Sequence, residues 1–390
     1  MAEKEGETRP DRRRLRVGVI LGGRSGEHDV SLMSASSVIS ALNPDKYEVV
    51  MIGITKEGRW LTGDVAKALE SGLEDVGRPV TLLPDPQSSG LLELEMIKTR
   101  QTSLKAVTEL DLIIPVLHGP YGEDGTMQGL LELAGLPYVG AGVVGSAVGM
   151  DKAIFKSVMT AHGIPLLPWS LVLRSEWKQD KDAILDRLEM ALNYPMFTKP
   201  ANLGSSVGIS KCNDRAELDE GLQQAARYDR RLVVEQGING RELEVSVLGN
   251  DKPIASIVGE IRPRREFYDY IAKYMLDPGS EEESELIIPA DLEAELADTI
   301  RDLAVKAFRA IDCAGMARAD FLQDRDNGQV FINELNTIPG FTRISMYPKL
   351  WEASGLPYPE LLDRLIELAL ERFETKADLE TTYESRAESQ

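Results

Sequence analysis

Residues 315–340, G-M-A-R-A-D-F-L-Q-D-R-D-N-G-Q-V-F-I-N-E-L-N-T-I-P-G, constrain this chain more than any other stretch. The run reads as two strands around a polar turn. Strand side chains alternate between faces with period two, so Arg318 and Asp320 share a face, and so do Glu334 and Asn336. The turn decides whether those faces coincide. A two-residue Asn327-Gly328 loop sets Asp320 opposite Leu335, whereas a three-residue Asp326-Asn327-Gly328 loop with a bulge sets it opposite Glu334. The second pairing is expected, because it collects three hard oxygen donors of the kind that hold magnesium on a phosphate substrate. Arg318 beside them would complement charge developing on a transferring phosphoryl group or an oxyanion. A plain exposed hairpin explains Asp324, Arg325 and Asp326 at the tip. It explains Glu334 and Asn336 badly, since they interrupt an apolar face carrying Val330 and Ile332.

At 390 residues the chain is too long for one small core and is expected to form two or three domains. Its 64 acidic against 44 basic residues leave a formal charge of −20, which argues against nucleic acid or an anionic membrane surface as the main partner. A small basic pocket for a small-molecule anion remains compatible with that charge. Cys212 and Cys313 lie far apart with no metal-type spacing and read as reduced thiols in the core. There is no apolar run of membrane-spanning length. The first residues, M-A-E-K-E-G-E-T-R-P, have no hydrophobic segment behind their charges, so a cytoplasmic protein is expected.

Strands and helices alternate along the chain, which predicts an α/β fold. Polar, charged tails at 1–14 and 375–390 read as disordered. Val17–Leu21, Tyr47–Ile54 and Asp111–Leu117 read as strands of an open parallel sheet, with helices from about Val30 and Met127, giving an N-terminal domain over 15–140. Residues 62–108 are ambiguous and are expected to hold an extra hairpin. A central domain over 141–236 contains an Asp151-capped helix, a helix over 175–192, and strands at Met196–Lys199 and Leu232–Gln236. The last domain, 237–374, contains an antiparallel strand at Leu243–Leu248, a helix at Leu292–Ile311, the hairpin and a closing helix at Pro359–Phe373. Residues 264–286 read as a mobile loop.

Other segments could carry chemistry. The glycine-rich loop 204–208 follows Lys199, and small residues beside a lysine suit a phosphate, although a surface turn looks alike. The chain has no G-K-[ST], so loop 204–208 is not a Walker A loop, and Gly22-Gly23 with Gly26 after the first strand does not complete the G-x-G-x-x-G of a dinucleotide fold. Glu27 lies where a strand passes into a helix, at the positive helix end. His118 in H-G-P-Y-G-E-D-G could position a ligand. Lys152 opens a helix, the unfavourable end for a cation, which hints at a bound anion. The aromatic run F-Y-D-Y-I-A-K-Y at 267–274 would suit a water-excluding lid, with Lys273 and Tyr274 as its working residues.

Taken together, G-G-R-S-G-E-H-D-V-S at 22–31, H-G-P-Y-G-E-D-G-T-M-Q-G at 118–129, M-D-K at 150–152, K-P-A-N-L-G-S-S-V-G at 199–208, F-Y-D-Y-I-A-K-Y at 267–274 and the hairpin through G-F-T-R-I-S-M-Y-P at 340–348 resemble the D-alanine–D-alanine ligases of the ATP-grasp superfamily. The resemblance spans about residues 16–372. It implies an N-terminal open parallel-sheet domain followed by a two-lobed ATP-grasp fold (α+β in that part), with ATP between the lobes. It implies adenine near Glu235, Gly237 and Ile238, ribose at Glu242, and phosphates at Lys152 and Lys199 under Ser205 and Ser206. Magnesium, two ions with manganese possible, would be held by Asp320, Glu334 and Asn336. Two D-alanines would be joined through an acyl phosphate. Glu27 would hold the first ammonium near His118, and Arg318 with the Gly340 N–H the oxyanion. Ser345 with Met346 would hold the second substrate, and Lys273 the γ-phosphate. Tyr274 would lock the lid and favour an amine acceptor over D-lactate. A D-serine or D-lactate acceptor is the alternative. A homodimer and a role in peptidoglycan precursor synthesis are further implications of the family.

Overall fold

The computed structural model describes residues 13–63, 77–88, 90–98, 101–204, 207–263 and 284–380. Strands β1 (Leu15–Gly22), β2 (Tyr47–Ile54), β3 (Trp60–Gly63), β4 (Gly77–Leu82), β5 (Gly90–Lys98), β6 (Gln101–Glu109) and β7 (Leu112–Val116) form one seven-stranded sheet in the order β6-β5-β4-β3-β2-β1-β7. The near-continuous apolar runs of β1 and β7 belong to strands covered on both faces. β1 pairs in parallel with β2 and β7, as expected. The expected open parallel sheet stops there. Beyond β2 the sheet continues antiparallel through β3, β4, β5 and β6, so the extra hairpin, β5 with β6, extends this same sheet. The alternating Leu92, Glu93, Leu94 and Glu95 fit such a two-environment strand better than a buried parallel one.

Two further sheets follow. β8 (Trp169–Leu173), β9 (Met196–Pro200), β10 (Ser210–Cys212) and β11 (Arg231–Gln236) make an antiparallel sheet ordered β10-β9-β11-β8. β12 (Gly240–Gly249), β13 (Ile254–Arg262), β14 (Glu285–Ile287), β15 (Gly315–Asp324) and β16 (Val330–Asn336) make another, ordered β14-β13-β12-β15-β16. The expected loop 264–286 therefore ends sooner than its polarity suggests. Glu285–Ile287 pairs with Glu260–Arg262, while residues 264–283 lie outside the described residues. The expected helix over 175–192 is two helices, Arg174–Gln179 and Lys181–Ala191. Asp180 breaks the run by adopting extended backbone and capping the Ala183 N–H at 3.0 Å. Cys212 and Cys313 are buried free thiols.

The helix Ala294–Ala310 places Leu296, Ile300, Ala304, Ala307 and Phe308 along one face, at the three-and-four spacing of an amphipathic helix. That face packs under the five-stranded sheet against Val245, Ala319 and Ile332. Phe308 is fully buried there, so Phe308→Ala is expected to cost about 3–5 kcal/mol, read as a lower denaturant midpoint, the usual cost of emptying an aromatic site in a packed core.

The closing helix Tyr358–Ala377 starts with Pro359 in its first turn and runs a few residues into the expected tail. It returns to the first sheet. Leu361, Leu365 and Ile366 share a core with Val17, Val19 and Val38, and the same core takes in Met316, Ile338, Phe341 and Tyr347. Polar ties reinforce the junction. Asp363 accepts from Lys46 at 2.6 Å and from Tyr47 Oη at 2.7 Å, and Lys376 meets Glu132 at 2.5 Å. The C-terminal ends of β1 and β7 are thus fixed relative to the hairpin β15–β16.

Candidate active site

The hairpin has the expected register by an unexpected route. Asp320 pairs with Glu334 and Arg318 with Asn336. The loop is longer by one residue, since Asp324 N–H donates to the Gln329 carbonyl at 2.9 Å. Asp324 closes this loop by accepting from Asp326 N–H at 2.8 Å and Asn327 Nδ2 at 2.9 Å. Near the tip Phe321 pairs with Ile332, but the next pair is Asp320 with Glu334. A bulge at Asn333 therefore restores the register and turns both Asn333 and Glu334 toward the site.

Arg318 is the centre of this face. Its Nε and Nη2 meet Asp320 at 2.7 Å each, a bidentate pair, and its Nε also lies 3.0 Å from Glu244. Glu244 is 6% exposed and sits opposite Asp320 across β12 and β15. Two residues before it, Glu242 pairs with Leu322 on one side and Ile261 on the other, so it shares the face of Glu244.

The four-stranded sheet meets this face. Lys199 on β9 reaches Asn333 Oδ1 at 3.4 Å, and Lys152, at the start of helix Lys152–Ala161, lies 3.6 Å from Glu334 and donates to the Leu203 carbonyl at 2.8 Å. That helix end is capped by its own Asp151, which accepts from Ala153 and Ile154 N–H groups and pairs with Arg231 at 2.5 Å. Beneath the lysines, Glu235 on β11 joins Lys199 through one carboxylate oxygen and the buried Lys156 through the other. Burial opposes its charge, yet the two lysines prevail and hold this carboxyl at about 2. Gly237 admits no side chain, because a Cβ would stand 2.6 Å from the Phe197 ring. Ile238 follows it in the link to β12.

Loops from the first sheet close the opposite side. Ser31 Oγ accepts from Gly22 N–H at 2.7 Å and donates to the Val116 carbonyl, and Ser25 Oγ donates to the His118 carbonyl at 2.7 Å. These bonds zip the loop after β1 to the loop after β7. Glu27, 8% exposed, stands at the N-terminal end of helix His28–Ala41. A Cβ on Gly119 would lie 2.7 Å from its Oε2 and one on Gly204 3.1 Å away, so two glycine loops converge on this carboxylate. His118 is buried and bridges to the far side of the site. Its Nδ1 is 3.0 Å from the Ile338 carbonyl and its Nε2 3.2 Å from Ser34 Oγ. The carbonyl can only accept, so Nδ1 carries the proton and Ser34 donates to Nε2. Burial pushes the imidazole down, which keeps it neutral and leaves it a structural bridge with both nitrogens engaged.

Ser345 caps helix Met346–Ala353 without a side-chain cap bond. Its Oγ instead accepts from Thr342 N–H at 3.1 Å and lies 2.8 Å from Thr342 Oγ1. Gly340 lies against it, a Cβ there being 3.1 Å from Ser345 Oγ. Met346 is 5% exposed and packs with Ile261 and Leu350. Ser205, Ser206, Lys273 and Tyr274 lie outside the described residues.

Glu123 was not singled out in the sequence, although it lies within a quoted motif. It is 6% exposed and accepts from Gly119 N–H at 2.7 Å. Burial, then the charge of Glu27, push its carboxyl well above the usual carboxylate range. The folded protein therefore keeps this proton to higher pH than the unfolded chain, and the group's contribution to stability falls as pH rises past the unfolded value. Glu123→Gln keeps the acceptor without the ionisation. Its Tm is expected to exceed that of the parent by a margin that widens from about pH 5 to about pH 8. Parallel Tm curves over that range would contradict the assignment.

The donor set on the hairpin suits a hard divalent ion. Asp320 and Glu334 face one another across the ladder, with Asn336 two residues on. Among the described residues no three His, Cys, Asp or Glu side chains gather as a complete cage. Two carboxylates and an amide fit magnesium, which keeps waters and substrate phosphates in its shell.

Fold and site together define a ligase of the ATP-grasp architecture. Residues 16–141 match the family described as D-ala D-ala ligase N-terminus, and residues 158–367 the family described as D-ala D-ala ligase C-terminus. The chain is 51% identical over 361 residues to the D-alanine–D-alanine ligase of Heliobacterium modesticaldum, covering 92% of this chain and 96% of that one. It is 47% identical over 382 residues to the one from Geobacillus thermodenitrificans, covering 95% and 100%. Among solved structures it is similar to the D-alanine–D-alanine ligase from Coxiella burnetii, with 36% identity, a TM-score of 0.75 and coverage of 93% and 96%. It is also similar to VanG D-Ala:D-Ser ligase from Enterococcus faecalis, with 35% identity, a TM-score of 0.80 and coverage of 92% and 100%. The chain belongs to the D-alanine–D-alanine ligase family.

Proposed function

We propose that this protein joins two molecules of D-alanine at the expense of ATP, releasing ADP and phosphate, as a cytoplasmic, homodimeric enzyme supplying peptidoglycan precursors. The observation that carries this reading is the convergence of three charged clusters: the lysines Lys152 and Lys199, the arginine–carboxylate face of the hairpin, and Glu27 under its glycine loops. Each matches one demand of the reaction.

Lys152 and Lys199 would bind the ATP phosphates, with Ser205 and Ser206 in the covering loop and Lys273 on the γ-phosphate. Glu235, Gly237 and Ile238 would line the adenine and Glu242 the ribose. Asp320, Glu334 and Asn336 would hold magnesium, or manganese, which when bound neutralises phosphate charge. Glu27 would pair with the ammonium of the first D-alanine, near His118. That substrate's carboxylate oxygen attacks the γ-phosphorus and ADP leaves, giving an acyl phosphate. The amine of the second D-alanine, held through Ser345 beside Met346, attacks the acyl carbon. The amine gives up a proton, which ends on the released phosphate as that group departs with the bridging oxygen. Arg318 and the Gly340 N–H would meet the oxyanion. The residues supply position and charge rather than a nucleophile, which suits phosphoryl transfer. Tyr274 would close the lid and favour an amine over a hydroxyl acceptor.

The test is phosphate release from ATP and magnesium with D-alanine, L-alanine, D-alanine plus D-serine, or D-alanine plus D-lactate, followed by product mass. Release with D-alanine alone and a D-alanyl-D-alanine mass is expected. A mixed product formed in preference to that dipeptide would move the reading to a D-serine or D-lactate ligase.

A further inference from the structure

Lys156 takes no part in the reaction just described, yet it is 1% exposed and stands among the largest fully buried side chains of the described residues. Burying an ammonium costs several kcal/mol unless its partners repay it, and an apolar side chain of similar size would fill the same space without that cost. Its location supplies a reason. Lys156 lies four residues after Lys152 on the helix Lys152–Ala161, so the two lysines share one helix face, one turn apart. Lys152 opens onto the cleft. Lys156 lies beneath it and takes Glu235 Oε1, while Lys199 takes Glu235 Oε2.

The charge balance of this cluster follows directly. A lone Glu235–Lys199 pair would be neutral, and the phosphate-facing lysine would be cancelled by the carboxylate behind it. With Lys156 the cluster carries a net positive charge, in a setting where poor screening makes that charge count. We propose that Lys156 is a positioning residue that balances the Glu235 carboxylate, so that Lys199 keeps its orientation and its net positive charge toward the polyphosphate of the bound nucleotide. This rests on the proposed nucleotide site but concerns a step before any chemistry. It can therefore be tested by nucleotide binding without amino acid.

Three chains are compared by calorimetry with Mg-ADP and by competition with adenosine, which lacks phosphate: the parent, Lys156→Met and the double variant Lys156→Met/Glu235→Gln. Lys156→Met is expected to weaken ADP binding about tenfold, the scale of one partly screened charge, with adenosine binding unchanged. In turnover the same variant should raise KM for ATP and leave KM for D-alanine within about twofold, because the change acts through the phosphate charge alone. The double variant removes the carboxylate as well as its balancing lysine, so ADP affinity taken relative to adenosine affinity, which carries any change at the adenine that Glu235 would line, should recover toward the parent ratio. It also covers the case in which Lys156→Met alone folds poorly. A purely structural lysine predicts no such recovery. The proposal is overturned if ADP binds Lys156→Met as tightly as the parent, if adenosine is weakened equally, or if the double variant's ADP affinity relative to adenosine is no better than that of the single one. Failure of the parent itself to bind Mg-ADP would instead sink the nucleotide reading of the site.

Discussion

Arg318→Met is expected to lower kcat about 10²–10³-fold, the scale seen when one donor to a developing oxyanion is removed. The Arg318 guanidinium is tied to both Glu244 and Asp320, through 3.0 Å and 2.7 Å contacts. Its fork lies across the ladder from Asn336 and beside Glu334. Methionine keeps the bulk of the alkyl stem and removes every donor, so the loss reports the charge and its geometry. Arg318→Lys should recover only part of the rate, because an ammonium cannot reproduce the bidentate fork. The variant should also be less stable. Glu244 is 6% exposed and would face Asp320 without the cation between them, and breaking a buried pair by removing one member typically costs about 3–5 kcal/mol. Full activity in Arg318→Met, in a chain with parent-like secondary structure, would remove this residue from the reaction.

Glu334→Gln is expected to reduce turnover about a hundredfold or more at low millimolar magnesium, with part of the loss regained as the metal concentration rises. The substitution is nearly isosteric and keeps the strand register of Asp320 with position 334. It changes one charge in the donor set and weakens the 3.6 Å approach of Lys152. A rate loss that magnesium titration does not relieve would assign Glu334 to holding Lys152 instead. Near-parent activity at low magnesium would remove it from the metal site altogether.

These two residues also show how far the sequence could be read. Alternation alone placed Arg318 with Asp320 and Glu334 with Asn336, and the demand for a shared ligand face selected the register that the hairpin adopts. The device that achieves it was not legible. A tip of Asp, Arg and Asn residues is compatible with several loop lengths, and nothing in V-F-I-N-E-L-N marks Asn333 as the bulged position. The Lys156–Glu235 pair was hidden for a different reason. Its members lie 79 residues apart, on a helix and on a strand of another sheet, and only the packing of one on the other brings them together. Periodicity reports which face of an element is apolar, and a lysine on that face reads as an exception until its partner is known. Glu244 lay in plain sight in the alternation of 240–249, as the neighbour of Glu242 on the face opposite Leu243 and Val245. The short edge strand Glu285–Ile287 emerges from an acidic run with no period of its own, because an edge strand of three residues is set by its neighbour more than by its sequence.

The chemical core of the account is that the first amino acid is activated as an acyl phosphate, with the cluster around Arg318 stabilising charge on the acyl carbon's oxygen. The most direct test uses D-alanine labelled with ¹⁸O in its carboxylate, incubated with ATP and magnesium, with the released phosphate and nucleotide analysed by mass. The account predicts ADP as the nucleotide product and one carboxylate oxygen carried into the phosphate for each dipeptide formed. Label appearing in AMP, or phosphate free of label beside a labelled dipeptide, would contradict it.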